Sequence, residues 1–177
     1  MKKAAQILAF ILVVALILSL GVTAFADEAQ FDVTRRFLAE LDGVEGAEYT
    51  VVGVREAAAD AGFEYERVEV RYEGDLSDYI NTVYVDFSED GEEVMLYLYN
   101  IISFRREDRE EVLSVLNELN AKYKGVKFYL DDVKDTVTAE LYLAATDKTV
   151  VEISLFGFGF LIGITDQAYD VLADYAA

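Results

Sequence analysis

Alternating polar and apolar residues along several short segments predict β-strands, because successive side chains of a strand point to opposite faces of the sheet. Residues 65–72 and 83–87 each alternate, with valine, tyrosine or phenylalanine on one face and mostly charged or polar residues on the other. Residues 94–102 are apolar on both sides, which indicates a strand inside the sheet with both faces covered. The alternation of residues 126–130 and 137–143 predicts two more strands joined by a turn.

Two segments repeat their apolar residues every three or four positions, which is the spacing of an amphipathic helix. The first starts at Asp32, whose carboxylate suits an N-cap, and ends at Gly43. The second, residues 106–124, has acidic residues in its first turns and lysines in its last, so its charges oppose the helix dipole at both ends. These segments predict the first two helices of the chain.

Residues 150–164 carry two conflicting signals. Phenylalanine and isoleucine alternate there with glycine and leucine, which indicates a strand, and each glycine weakens a helix interior by about 1 kcal/mol. Thr149 and Glu152 have the spacing of a capping box, however, and residues 169–175 continue at helical spacing. We therefore predict a third helix that ends at about residue 175, with a strand as the alternative for its first part.

The connection at residues 44–63 has weaker patterns, and both a short strand at 49–52 and a helical turn at 55–61 remain open. The assigned segments predict an α+β fold in the order α-β-β-β-α-β-β-α, with helices packed on an antiparallel sheet of about five strands. We expect a single domain, in which residues 27–63 supply the first helix and its connection and residues 64–177 supply the rest.

The first 26 residues have the three parts of a secretory signal peptide. Two lysines follow Met1, residues 7–20 are apolar, and Ala24 and Ala26 form the cleavage motif. The apolar run would rise only about 21 Å as a helix, which is less than the roughly 30 Å of a bilayer core. We therefore expect cleavage near Ala26 and export to the cell envelope or exterior, with a membrane anchor formed by residues 4–26 as the alternative.

The composition excludes several classes of function. The chain has a formal net charge of −19, which becomes −21 if the two lysines of the signal segment are removed, so it would repel the phosphates of nucleic acids. It contains no histidine and no cysteine. Ser-His-Asp and Cys-His catalytic systems, disulfides and the usual nitrogen and sulfur ligands of zinc are therefore absent. We expect no cofactor and no nucleic-acid partner.

Carboxylates are the reactive groups that remain, since 34 residues are aspartate or glutamate. Asp131, Asp132 and Asp135 lie in one predicted turn and are weak candidates for calcium ligands. They lack the arrangement of an EF-hand loop, so we expect the solvated acids of an ordinary hairpin turn. The alternative function is a cell-envelope hydrolase that uses a pair of carboxylates, or a weak calcium-dependent binding protein.

Two groups of aromatic residues are candidates for a partner-binding or dimer surface, because aromatic side chains concentrate at interface centres. The first group lies on the predicted sheet and the second in the last predicted helix. They are Tyr84, Tyr97 and Tyr99, and Phe156, Phe158 and Phe160. Gly159 and Gly163 would allow that helix to pack closely on the sheet or on a second copy of the chain. We expect a protein or peptide partner, a homodimer being one form of it.

Several short motifs are specific in their order and spacing along the chain. They are YVDFSED at 84–90, LNELN at 116–120, YK at 123–124, KFYLDD at 127–132 and DQAY at 166–169. Taken together, they resemble the YbjN family of bacterial proteins over roughly residues 64–175.

The resemblance implies an α+β fold like that of type III secretion chaperones, often paired as a dimer, and no known catalytic centre. Members of the family are described as sensory or stress-response regulators. The export signal and the alternating glycines and phenylalanines of the last helix depart from the family pattern. We predict an exported, non-catalytic YbjN-like domain that acts as a sensory or stress regulator, or as a chaperone-like module that binds a protein.

Overall fold

The computed structural model describes residues 25–43, 49–60, 63–73 and 80–177, without the side chains of residues 58–60, 63, 73 and 80. The predicted signal peptide and its anchor alternative fall outside these residues, except for their last two. Residues 25–28 are helical, and the N–H of Ala29 donates a hydrogen bond to the carbonyl of Phe25 at 3.1 Å. Cleavage near Ala26 stays a prediction.

The described residues fold as an α+β domain, which confirms the predicted fold class. Their sheet has six antiparallel strands in the order β1-β2-β3-β4-β6-β5, one more than expected. The helices are α1 (Asp32–Asp42), α2 (Arg109–Lys122) and α3 (Val150–Leu172), and the strands are β1 (Tyr49–Asp60), β2 (Phe63–Glu73), β3 (Ile80–Ser88), β4 (Glu93–Leu98), β5 (Lys127–Asp131) and β6 (Thr136–Ala144). Short 3-10 turns, Arg106–Asp108 and Ala173–Tyr175, precede α2 and follow α3.

The additional strand, β1, occupies most of the connection at residues 44–63. It pairs with β2 along its length, so the helical turn considered for residues 55–61 is wrong over its described part. Register shifts at Val52 and between Ala57 and Asp60 interrupt the pairing. Each shift inserts residues without a direct partner, which removes the period of two by which a strand is recognised in a sequence.

β4 lies between β3 and β6, in the interior of the sheet as predicted, but only one of its faces is packed. Val94, Leu96 and Leu98 are fully buried, whereas Tyr97 on the opposite face stays half-exposed. The expectation that both faces are covered is therefore wrong. The strand also ends earlier than predicted, because Asn100 adopts a left-handed backbone conformation with φ of 56°.

The start of α1 is attached to β2 through a buried carboxylate. Glu66 accepts hydrogen bonds from the backbone N–H groups of Gln30 and Phe31, at 2.7 and 3.0 Å. Asp32, predicted as the N-cap, is instead the first helical residue, and no side chain caps the helix at Phe31. A residue from a distant strand thus satisfies backbone donors just before the helix begins.

Residues 150–164 form the first part of α3, so the predicted helix is confirmed and the strand alternative is wrong. The capping box does not form, since the hydroxyl of Thr149 lies 3.0 Å from that of Thr146 and makes no cap bond. Gly157 lets the helix approach the sheet closely, because a Cβ atom there would lie 2.6 Å from Cδ1 of Leu143. Packing of the helix on the sheet therefore outweighs the cost of its glycines.

By length and composition, Val150–Tyr175 would be long and apolar enough to cross a membrane, and it is the one such helical segment in the described ranges. A third of its most apolar window, 33%, is buried inside the protein, and the helix packs against β3, β4 and β6. A helix in the core of a protein can be equally long and apolar, and because this helix packs on the sheet it is part of the folded domain.

Candidate functional site

The sheet has two faces of different chemistry, which we call the inner face and the outer face. α1 and α3 pack on the inner face, which is lined by fully buried aliphatic residues such as Leu96. The outer face consists of the alternate positions of the same strands, mostly tyrosines and charged residues. Arg67, Asp86, Met95 and Tyr142 form one row across it, from β2 through β3 and β4 to β6.

Arg67 and Asp86 form a bidentate ion pair on the outer face. Nε and Nη2 of Arg67 each donate to a carboxylate oxygen of Asp86 at 2.6 Å. The side chains are only 18% and 4% exposed, so each charge offsets the loss of water by the other. The hydrogen bonds to Asp86 hold the pKa of Arg67 above its usual range, against the opposing effect of burial.

Three tyrosines surround this ion pair, and we call them the tyrosine cluster: Tyr84, Tyr97 and Tyr99. The guanidinium carbon of Arg67 lies 5.1, 5.8 and 5.9 Å from their respective ring centroids. The rings of Tyr97 and Tyr99 stack at 5.4 Å, and Tyr84 packs on Tyr99 at 5.1 Å. The structure thus brings together all three tyrosines that the sequence analysis singled out, half-exposed on one face.

Three phenol groups of the outer face, those of Tyr97, Tyr99 and Tyr129, have raised pKa values. Burial raises the pKa of Tyr97, and it raises that of Tyr99 despite the opposing charge of Arg67. Burial, followed by the negative charge of Glu140, raises the pKa of Tyr129 to about 12. These three hydroxyl groups are neutral at physiological pH, so each carries a proton to donate. That of Tyr97 donates to Sδ of Met95 at 3.1 Å, and a sulfur atom is a weak acceptor that an oxygen of a partner would replace.

Sequence reasoning missed Arg67, Asp86 and Tyr129 as members of this site. Tyr84 and Tyr97 face each other across the hairpin of β3 and β4, whose short turn contains Gly91. The pairing of Tyr84 with Tyr97 could have been predicted from the sequence, because a tight turn sets the register of the two strands that it joins. The Arg67–Asp86 pairing was not, because the longer loop between β2 and β3 does not determine their register.

The aspartates proposed as weak calcium ligands lie together in the turn between β5 and β6. Each has a cationic partner: Asp131 lies 3.6 Å from Lys134, Asp132 lies 2.7 Å from Arg109, and Asp135 lies 3.4 Å from Arg106. Desolvation raises the pKa of Asp131, but hydrogen bonds from the N–H groups of Val133 and Lys134 outweigh it and lower the pKa overall. Within the described ranges, no group of three or more His, Cys, Asp or Glu residues is arranged to hold a metal ion.

Two clefts contain carboxylates. The larger, of about 450 Å³, lies between α1 and the start of α3, where Arg36 and Lys148 accompany the exposed carboxylates of Glu40 and Glu152. The smaller, of about 240 Å³, is lined by the exposed Glu56 and Glu64 and by the buried Glu66, whose carboxylate is already used by backbone N–H groups. A hydrolase needs a general acid whose pKa is raised, and neither cleft provides the buried, free pair that would raise it.

The phenylalanines of α3 divide between the core and the surface. Phe158 is only 8% exposed and packs edge-on against Tyr49, whereas Phe156 is 69% exposed. Phe160 is partly buried, packs against the edge of the core and stacks on Phe156 with ring centroids 5.7 Å apart. The sequence had predicted all three as one surface group, but the helical period turns Phe158 inward.

Gly159 and Gly163 lie on the same side of α3 as Phe156. A Cβ atom added at either glycine would meet no atom of the described residues within 4 Å. Close packing of these two glycines on the sheet, one of the two expected uses, is therefore wrong, and Gly157 makes the close approach instead. We call the surface formed by Phe156, Gly159, Phe160 and Gly163 the outer side of α3.

A family model described as "Putative bacterial sensory transduction regulator", that of the YbjN family, matches residues 50–152 of the chain. The match covers more than half of the chain, including α2, the six described strands apart from Tyr49, and the whole tyrosine cluster. It ends near the start of α3, so the outer side of α3 lies beyond it. No curated protein matches the chain.

Proposed function

The chain belongs to the YbjN family, and from this premise we propose that it is an exported, non-catalytic regulatory module that binds a basic segment of another protein on its tyrosine cluster. The cluster lies within the part of the chain that matches the family of regulators. Holding a segment of another protein would be a chaperone-like mode of action.

The half-exposed tyrosine cluster is the observation that carries this proposal. Tyrosine is enriched in the residues that dominate protein interfaces, because a rigid ring supplies a large contact area and a hydroxyl group. Tyr97 and Tyr99 are held by mutual stacking and by Arg67, so little side-chain freedom would be lost when a partner binds. The surface is therefore prepared for contact before the partner arrives.

The charge of the chain supports a basic partner. A net charge of −19, or −21 after cleavage of the signal peptide, attracts cationic segments over long range. At close range, burial is the main cause of the raised pKa values of Tyr97 and Tyr129, and the negative charge of Glu140 adds to both. The rings already accommodate one guanidinium group, that of Arg67, which shows that this environment tolerates an arginine side chain over tyrosine faces.

The export part of the proposal rests on the sequence of residues 1–26. A mature chain that begins at Asp27 would keep α1 and the hydrogen bonds from Gln30 and Phe31 to Glu66. N-terminal sequencing of the protein recovered outside the cytoplasm should therefore find Asp27 as the first residue. A chain recovered only with an intact Met1 at the membrane would instead support the anchor.

The binding part can be tested by calorimetric titration with an arginine-rich peptide, and with the same peptide carrying neutral citrulline in place of arginine. We expect the Tyr97→Leu/Tyr99→Leu variant to bind the arginine peptide about tenfold more weakly, since one tenfold step corresponds to about 1.4 kcal/mol. The wild type should bind the citrulline peptide at least as weakly.

The matched control for net charge is Glu110→Gln/Glu111→Gln, which changes two exposed side chains in the first turn of α2. It lowers the overall negative charge and leaves every tyrosine in place, so we expect less than about a threefold effect on binding, because exposed charges are screened by salt. Equal affinity of the tyrosine variant and the wild type would show that the attraction is general electrostatics, and the proposed surface would be wrong.

A further inference from the structure

The exposed Phe156, the partly buried Phe160 and two glycines form a self-complementary surface on α3, and we propose that it binds a second copy of the chain in an antiparallel helix pair. Phe156 and Phe160 stack into a ridge along the outer side of α3. Gly159 and Gly163 leave open space beside that ridge. The surface lies beyond the matched family region, so its residues alone carry the argument.

The spacing of ridge and groove matches in one antiparallel register. If the two-fold axis passes between residues 159 and 160, Phe156 of one copy lies opposite Gly163 of the other. The same symmetry sets Phe160 of one copy beside Gly159 of the other. Each phenylalanine thus meets a glycine, and both halves of the contact are identical, as a two-fold interface requires. In a parallel pair, by contrast, glycine would face glycine and phenylalanine would face phenylalanine.

The ends of this register agree with the pattern of charge and polarity. Lys148, just before α3 of one copy, comes opposite Val171 of the other copy and next to its Asp170, and all three residues are exposed. The exposed side chains of Glu152 and Gln167 also lie opposite each other. The amide nitrogen of Gln167 donates one hydrogen bond to the carbonyl of Gly163 and has a second N–H for the Glu152 carboxylate. The charge of each copy opposes association, so the contact depends on burying the phenylalanine ridge.

Cross-linking of single-cysteine variants tests the register directly, because the chain has no cysteine of its own. Glu152→Cys and Gln167→Cys are prepared separately and treated with a short bis-maleimide cross-linker, alone and after mixing. We expect a covalent dimer only in the mixture. In the proposed register, residue 152 lies about 22 Å along the axis from its counterpart in the other copy, too far for the linker.

A second measurement, sedimentation equilibrium, keeps the test independent of the cross-linker. Gly163→Leu should fill the groove and weaken dimerisation by more than about tenfold, equivalent to about 1.4 kcal/mol. Its melting temperature as a monomer should not fall, since the added side chain enters open space in the monomer. The control Val133→Asp removes a residue that is 90% exposed in a turn, and it should leave dimerisation unchanged.

Three results would overturn the inference. The first is a wild-type chain that stays monomeric at high micromolar concentration. The second is cross-linking of Glu152→Cys with itself, which would indicate a parallel pair. The third is a monomer that binds neutral phospholipid vesicles through Phe156, which would assign the apolar ridge to a membrane surface.

Discussion

The inner and outer faces of the sheet are built from the same strands, yet they serve different ends. On the inner face, Val85 and Leu96 are fully buried beneath the helices. On the outer face, their neighbours Tyr84 and Tyr97 are half-exposed and surround an ion pair. The alternation of a strand therefore separates the residues that stabilise the fold from those available for a partner.

The difference also has an energetic side. Burial of aliphatic surface stabilises the folded state in proportion to area, at about 25 cal/mol for each Å² removed from water. A buried ion pair such as Arg67–Asp86 gains little over an apolar pair of the same shape, because both charges lose water. The outer face thus contributes less to stability than its polar contacts suggest, which agrees with the recognition role proposed for it.

The largest expected effect is the loss of a core aromatic from the inner face. Phe87 is fully buried and packs on Phe37 at 5.1 Å. Phe87→Ala should lower the free energy of unfolding by about 3–5 kcal/mol, through lost burial and the cavity left behind. Urea unfolding measures this free energy. If truncation of an outer-face tyrosine lowered it more than Phe87→Ala does, the claim that the inner face supplies most of the stability would be wrong.

Breaking the ion pair should have the next largest effect. Asp86→Ala leaves the guanidinium of Arg67 largely buried without its partner, and we expect a loss of about 3 kcal/mol. The double variant Arg67→Met/Asp86→Leu should recover most of that loss, since it removes both charges. If Asp86→Ala and the double variant had the same urea midpoint, the loss in Asp86→Ala would not come from the unpaired charge of Arg67.

The sequence was informative wherever one signal dominated a segment. Helix α2 was predicted from its charge placement, and β2, β3, β5 and β6 from their alternation. The bulges of β1 hid that strand, and the alternation of glycine and phenylalanine in α3 obscured which residues face outward. Side-chain facing in α3 depended on the close contact of Gly157 with Leu143, which no local pattern reveals.

The candidate site was predictable only in part, for a related reason. Tyr84, Tyr97 and Tyr99 could be chosen because they lay on predicted strands and aromatic side chains concentrate at interface centres. Arg67 and Asp86 come together through the register of β2 and β3, which is set by tertiary packing rather than by the loop between them.

Alkaline pH should weaken the fold through the outer face. The pKa of Tyr129 is about 12 in the folded state against 10.0 for an unperturbed tyrosine, so the folded state keeps its proton more firmly. The resulting stabilisation is fully present below pH 10 and is lost as the pH rises towards 12. Tyr129→Phe should flatten the fall in urea midpoint between these values, whereas Tyr175→Phe is the control. If the urea midpoint fell equally steeply with pH in Tyr129→Phe and Tyr175→Phe, ionisation of Tyr129 would not be the cause of the alkaline destabilisation.

The smallest expected effect concerns calcium. Asp131, Asp132 and Asp135 each have a cationic partner, so an added ion would have to displace lysine or arginine from all three. We expect the melting temperature to be the same in millimolar calcium and in chelator. A rise of several degrees in calcium, abolished by Asp132→Asn, would revive the calcium-dependent alternative.

The most direct test of the central claim is side-chain NMR of the folded protein during titration with the arginine-rich peptide. We predict that the ring signals of Tyr84, Tyr97 and Tyr99 shift in a saturable manner, while the methyl signals of Val85 and Leu96 on the inner face stay in place. Shifts confined to the inner face or to α3, or no saturable shift of the tyrosine rings, would contradict the assignment of the outer face as the binding surface.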